Sequence, residues 1–304
     1  MRTIKKILKW IGIVLGSLVG LLLVALAVVY ILSTQRLNKT YTIPATTLTL
    51  ATDAATVAEG QRQFSTRGCV DCHGANGAGT VMLDDFLIGT IMGSNLTSGQ
   101  GGVGSSYQDA DWERSIRHGV GPDGKALVIM PSHEFNPIND DDLATMIAYI
   151  KSLPPVDQAQ TPIAVGPLGR ILLLTGMATL LPAEVIDHDA PRPEAIAKGA
   201  TVEYGQYLSN SCIGCHGETL SGGPMPGVPG EEPYPRNLTP DQETGLGKWQ
   251  EADFVTAMRT GVRPDGSHLS AGMPWQAFKV MTDEELSALW QYLQSVPPKS
   301  YGNR

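Results

Sequence analysis

Apolar positions are unevenly spread along this chain. Trp10 to Leu32 is a run of 23 residues without a charge, long enough at roughly 1.5 Å per residue to cross a hydrocarbon core of about 30 Å. It predicts a transmembrane helix over 10–32 behind a cytoplasmic N-terminus, 1–9, because more Lys and Arg precede the run than follow it. The alternative is a cleaved export signal, with Ala25-Leu26-Ala27 as a small-residue site inside the run; in both cases the body is exported. Gly12, Gly16 and Gly20 stand four apart on one face of this helix. That spacing admits a partner helix and is also ordinary for membrane spans.

Beyond the run, Thr40, Thr42, Thr46, Thr47, Thr49 and Thr52 lack helical periodicity and predict a tether over 33–54. Helical patterning then occurs twice. Ala55 to Thr66 carries Val57, Gly60 and Phe64 on one side and runs into Cys69; Ile196 to Leu208 carries Ala200, Tyr204 and Leu208 and precedes Cys212. Each copy closes on a better-marked helix. Asn139 as cap, Asp140, Asp141 and Asp142 at the positive helix end, and the stripe Leu143, Met146, Ile147, Ile150 define the first. Thr282 and Glu285 in capping-box spacing, with Leu286, Leu289, Trp290 and Leu293, define the second, and Pro154 and Pro297 stop the two. Between the copies, the apolar run Ile171 to Leu181 is too short to span a membrane. It is expected to pack between two domains; a membrane-surface segment is the alternative, disfavoured because Arg170 is its only basic residue.

The two patterns are copies of one unit. Cys69 to Cys212, His73 to His216, Met130-Pro131 to Met273-Pro274, Tyr149 to Tyr292 and Pro154-Pro155 to Pro297-Pro298 all share a single displacement along the chain. Asn95-Leu96-Thr97, Arg117-x-Gly119-Val120 and Asp123-Gly124 recur at a displacement shorter by one position. The expected architecture is all-α: two small helical domains over 55–155 and 195–299, an interdomain linker over 156–194, and a tail over 300–304.

All four cysteines fall in Cys69-Val70-Asp71-Cys72-His73 and Cys212-Ile213-Gly214-Cys215-His216. C-x-x-C-H is the attachment sequence of haem c: two thiols become thioethers on the porphyrin and the adjacent imidazole binds iron. Two covalently bound haems c are therefore expected, on Cys69, Cys72 and His73 and on Cys212, Cys215 and His216. A zinc site has no spare cysteine or paired histidine to complete a tetrahedron, and disulfides would leave the repeated histidines and methionines without a role. Met130 and Met273 stand at one and the same spacing after His73 and His216 and each precedes proline, which makes them candidates for the second axial position on iron. Met92, His118 and His133 in the first half, and Met258, Met281 and His268 in the second, have no counterpart at the aligned position. Arg117, Arg259, Asn95 and Asn237 are candidates to meet haem propionates, with surface salt bridges as the alternative for the arginines. His188, unduplicated, reads as a structural hydrogen-bonding residue.

Net charge narrows the partners. The chain carries −8, but its first forty residues hold six bases and no acid, leaving 16 basic against 30 acidic residues, or −14, on the body. This argues against nucleic-acid binding and for basic or mixed docking surfaces on protein partners.

Asn237-Leu238-Thr239-Pro240-Asp241, Thr244-Gly245-Leu246-Gly247-Lys248-Trp249, Asp265-Gly266, Met273-Pro274-Trp275 and Met281-Thr282-Asp283-Glu284-Glu285-Leu286 resemble the mono- and dihaem cytochromes c that include the cytochrome subunits of membrane-bound bacterial alcohol, gluconate and sorbitol dehydrogenases. The likeness covers nearly all of 55–299. It implies two class I cytochrome c folds in tandem with His/Met iron. It also implies an electron carrier, not an enzyme, that receives electrons from a dehydrogenase and passes them to an oxidase or quinone on the periplasmic side of a bacterial inner membrane. Those dehydrogenase subunits usually have three haem domains, whereas this chain has two and an N-terminal helix. A dihaem peroxidase would need one open iron, against which the paired Met-Pro sites argue; a haem-bearing subunit of a larger oxidase or dehydrogenase complex is the third reading.

Overall fold

The computed structural model describes residues 2–44, 46–225 and 234–304. Its first element is α1 (Arg2–Leu37), one continuous helix whose apolar stretch has a mean hydropathy of 2.8 and is covered by no other part of the protein. The expected tether departs from its prediction. α1 runs past Leu32 to Leu37, and the chain after it lies along the first domain: Tyr41 N donates to Gly124 O at 2.8 Å, Thr40 pairs with Lys125, and Leu48 is buried in the domain core. Threonine-rich extended chain lacks helical periodicity whether it is free or laid on a surface, so the sequence pattern alone did not distinguish the two.

The first domain begins with α2 (Ala54–Thr66), capped by Asp53, whose carboxylate accepts from the amides of Ala55 and Thr56. Arg67 and Gly68 break it from α3 (Cys69–His73), Gly68 taking φ 78°. A hairpin follows, β1 (Val81–Asp85) and β2 (Gly89–Met92), then α4 (Asp109–His118), the single turn α5 (Ser132–Phe135) and α6 (Asp140–Ser152), capped by Asn139 through Asp142 N at 2.9 Å. The linker contributes β3 (Ala164–Val165), antiparallel to β2, and α7 (Pro167–Thr175). The chain is thus mostly helical, and this small three-stranded sheet is the departure from an all-α reading. The second domain has α8 (Val202–His216), α9 (Glu251–Thr260), α10 (Trp275–Phe278) and α11 (Asp283–Ser295). α8 starts later than the predicted Ile196, at the Thr201 cap, and continues unbroken through the C-x-x-C-H stretch.

In each domain the first and last helices cross at a glycine. A Cβ at Gly60 would overlap Thr145 O of α6, and one at Gly205 would overlap Ala288 O of α11. Thr145 and Ala288 keep the displacement of the cysteines, whereas Gly205 lies two positions further from Gly60 than that displacement allows. The first copy therefore holds two more positions between the crossing and its cysteine, where α2 breaks at Arg67-Gly68. Alignment on the cysteines hides this equivalence.

The domains pack through a reciprocal contact. Arg62 of α2 pairs with Glu285 at the third position of α11 (Nη2 to Oε1 2.8 Å). Tyr207 of α8, which corresponds to Arg62 once the crossing glycines are aligned, donates to Asp142 at the third position of α6 (2.7 Å). Arg67 stacks 4.7 Å over the Tyr207 ring, and Lys198 reaches Glu59 at 3.3 Å. The run Ile171 to Leu181, expected between the domains, lies elsewhere. α7 packs on the end of α1, and Leu173, Leu180 and Leu181 join Val120, Ala126 and Ala183 in a cluster beneath the first domain, because the β3 pairing draws the linker back there.

Candidate haem centres

The Cys-x-x-Cys-His of the first domain forms the short helix α3, and that of the second ends α8. In the first domain Cys69, His73 and Met130 line one pocket, partly open to solvent, whose other walls are mostly apolar: Phe64, Leu96, Val103, Ile116, Met146 and Ile150 among them. In the second, Cys212 and Met273 pack against one apolar cluster with Leu238, Trp249 and Leu289.

The histidines are held alike. His73 Nδ1 lies 2.8 Å from Ser94 O and His216 Nδ1 lies 2.6 Å from Arg236 O; a carbonyl only accepts, so Nδ1 carries the proton and Nε2 keeps its lone pair. Burial lowers the pKa of both, that of His216 to about 4, so both are neutral near pH 7. Burial also pushes the thiols of Cys69 and Cys212 up to about 12, the opposite of a thiolate metal site. Among the described residues no cluster of three or more His, Cys, Asp or Glu is placed to hold a metal ion.

Met130 is presented by a strained turn. Ile129 has φ 67°, a region costly for a β-branched residue, and its amide donates to Leu180 O of the linker at 2.8 Å. Met130-Pro131 then leads into α5, which abuts the second domain: a side chain at Gly214, between Cys212 and Cys215, would meet the carboxylate of Glu134. The methionine loop of one centre thus touches the attachment turn of the other.

The haem fits these residues by a further sign. Trp112 Nε1 is buried on the cavity wall with no hydrogen-bond partner among the described residues, a donor suited to a propionate. The repeat does not mark Trp112, because Phe254 stands at its aligned position. The residues the sequence nominates for that role are engaged otherwise. Arg117 is buried and bonded to Glu113 (2.9 Å), Ile138 O (2.7 Å), Asn136 O (3.2 Å) and Asp140 (2.7 Å). Arg259 bonds Lys279 O, Met281 O and Asp283. Each arginine ties the end of its methionine loop to the start of the last helix. Asn95 and Asn237 are buried; each accepts from its own Thr97 or Thr239 and donates to a carbonyl just past the last helix, Val156 O at 2.8 Å or Lys299 O at 2.6 Å. Polar groups buried this deeply take the nearest backbone partners, so these four serve the fold. His188 bonds Ala183 O and His118, both at 3.0 Å, as a structural residue.

The cytochrome c family model matches residues 57–154 and 202–297. The gluconate 2-dehydrogenase cytochrome c subunit of Pantoea cypripedii is 35% identical over 115 residues, 36% of this chain and 26% of that protein. The alcohol dehydrogenase (quinone) cytochrome c subunit of Gluconacetobacter polyoxogenes is 37% identical over 102 residues, 32% of this chain and 22% of that protein. The matched stretches thus span about a quarter of those two relatives. A protein of Cereibacter sphaeroides named diheme cytochrome c-type is 26% identical over 269 residues, covering 78% of this chain and 85% of its own.

Proposed function

We propose that this chain, which belongs to the cytochrome c family, is a membrane-anchored dihaem carrier that passes single electrons from a dehydrogenase to an oxidase or a quinone-linked acceptor, with no substrate chemistry of its own. Each haem c supplies an iron that gains and loses one electron. Cys69 and Cys72, and Cys212 and Cys215, would hold the two porphyrins; His73 and His216 would offer Nε2 to the irons, and Met130 and Met273 would offer sulfur. Thioether sulfur as an iron ligand would raise the potential and close the iron to small ligands. The domains so defined are 55–155 and 195–299.

The observation that carries this reading is the Nδ1 hydrogen bond to a backbone carbonyl, made by both repeated histidines and joined in the first domain by Met130, which lines the same pocket as His73. The contact of the Met130 loop with Cys212–Cys215 supports electron exchange between the two centres. The exposed apolar length of α1 supports its retention as an anchor, with the haem domains on the outer face of a bacterial inner membrane, and Gly12, Gly16 and Gly20 offer a face to a partner helix. The printed names of the relatives support a dehydrogenase as donor.

The test is optical. Met130→Ala or Met273→Ala is expected to leave haem attached, remove half of the long-wavelength sulfur-to-iron absorption of the ferric protein, and lower the potential of one centre. An unchanged spectrum removes that methionine as a ligand. A high-spin haem turning over peroxide in the native protein overturns the carrier reading in favour of a peroxidase.

A further inference from the structure

The junction of α1 with the body leaves an apolar rim at the foot of the first domain that neither haem centre uses. Tyr30 lies inside the uncharged stretch, two positions short of its end. Yet the guanidinium of Arg170 in α7 is stacked 4.4 Å from the centre of its ring. Arg170 Nη1 also donates to Ser33 Oγ at 2.7 Å and Thr34 Oγ1 at 3.0 Å. α7 therefore begins level with the last turn of the membrane-length segment and not above it, and a Tyr–Arg pair at that level is characteristic of the membrane interface.

The β1–β2 turn is tied to the start of α7. Leu168 N donates to Leu87 O at 2.8 Å and Gly166 N to Ile88 O at 2.9 Å, so hairpin tip and helix form one unit. From it Phe86 protrudes 89% exposed, beside Leu87 at 52%, Leu168 at 40% and, one turn further along α7, Ile171 at 41%. Single exposed apolar residues are ordinary, but these four stand on one hairpin–helix unit, Leu168 tied to Leu87 and Ile171 following one turn along α7, and α7 packs on the end of α1. The acids at the tip are turned back on the hairpin: Asp85 Oδ1 accepts from Leu87 N and Ile88 N, both at 2.8 Å, and Asp84 Oδ1 accepts from Thr90 Oγ1 at 2.9 Å.

We propose that Phe86, Leu87, Leu168 and Ile171 dip into the boundary between headgroups and acyl chains of the outer leaflet, so that the first domain rests on the bilayer at a fixed tilt. The proposal rests on the reading of α1 as a retained anchor. Its driving force is apolar burial to a depth of roughly 5–10 Å, and attraction to anionic lipid is not required. The same linker reaches the first haem centre through Leu180 O and Ile129 N, so a fixed tilt also fixes the face that this centre turns to a partner.

The test uses the full holoprotein in nanodiscs of zwitterionic lipid. Haem attachment consumes the four native cysteines, so Phe86→Cys or Ile171→Cys supplies a single free thiol for a nitroxide label; Val19→Cys serves as reference inside the membrane and Glu243→Cys as reference in water. All four positions are exposed on the protein, and the haem spectrum checks that each variant folds. Labels at 86 and 171 are expected to lose most of the collisions with an aqueous nickel chelate that the 243 label shows, and to favour oxygen as the 19 label does. If 86 and 171 behave like 243 while 19 is lipid-protected, the proposal fails and the anchor stands; if 19 is in water or cleaved away, both fall. Protection at 86 and 171 in native membranes but not in nanodiscs would assign the rim to a protein partner and overturn the proposal.

Discussion

Replacing Arg117 with methionine separates a fold role from a cofactor role. The side chain is 3% exposed and joins Glu113, which is fully buried, to Asp140 and to two carbonyls at the end of the methionine loop. Burial pushes the Glu113 carboxyl up, and the charges of Arg117 and Arg192 oppose this. Arg117→Met keeps the length but leaves Glu113 facing only the more exposed Arg192, with the carbonyls of Asn136 and Ile138 losing their donor. Breaking a buried ion pair costs roughly 3–5 kcal/mol, and the surviving Arg192 places the expectation near the lower bound. Arg259 is the internal comparison: Val255 stands where Glu113 does, and its side chain is 29% exposed. Arg259→Met forfeits hydrogen bonds worth about 1 kcal/mol each and strands no buried charge. Urea unfolding of the solubilised holoprotein, followed by far-ultraviolet circular dichroism, should thus show the larger loss at 117. Adding Glu113→Gln to Arg117→Met should restore part of the loss, since the stranded charge is gone. Equal losses at the two arginines, or an unchanged stability at 117 with a shifted potential of the first haem, would refute this reasoning and return Arg117 to the propionates.

The helix crossings are tested by Gly205→Ala. Glycine to alanine inside a helix ordinarily gains about 1 kcal/mol, but here the new Cβ meets Ala288 O, and overpacking is expected to cost roughly 1–3 kcal/mol instead; a stabilised variant in the same urea assay contradicts the crossing. The interdomain contact is tested by acid. Burial pushes the Glu59 carboxyl up, but hydrogen bonds from Arg62 and Gln63 and the charges of Arg62 and Lys198 outweigh it and hold the pKa at about 2, below the ordinary 4.5. The stability from Glu59 is therefore fully present above pH 4.5 and lost as pH falls towards 2. The difference in thermal unfolding between wild type and Glu59→Gln should narrow over that window, and a constant difference would remove Glu59 from the interface energetics.

Much of this protein was legible from residues that act through chain neighbours. C-x-x-C-H is a local attachment chemistry, Asn139 and Thr282 cap the helices they precede, and the uncharged run from Trp10 needs only its own length to be read. The repeat then placed a methionine at one fixed spacing after each histidine. What the sequence left open depended on distant backbone. Arg117 and Asn95 carry the polarity a propionate would want, yet their partners are carbonyls and acids brought near by packing. The Gly60–Gly205 equivalence was displaced by the break before Cys69, which only the crossing with Thr145 and Ala288 exposes. The run Ile171–Leu181 announced burial but not against what, because hydrophobicity is non-directional. Only pairing of Ala164–Val165 with β2 brought it under the first domain, beside α1. Local chemistry and periodicity are written along the chain, whereas the partner of a buried polar group or an apolar face is chosen by tertiary packing.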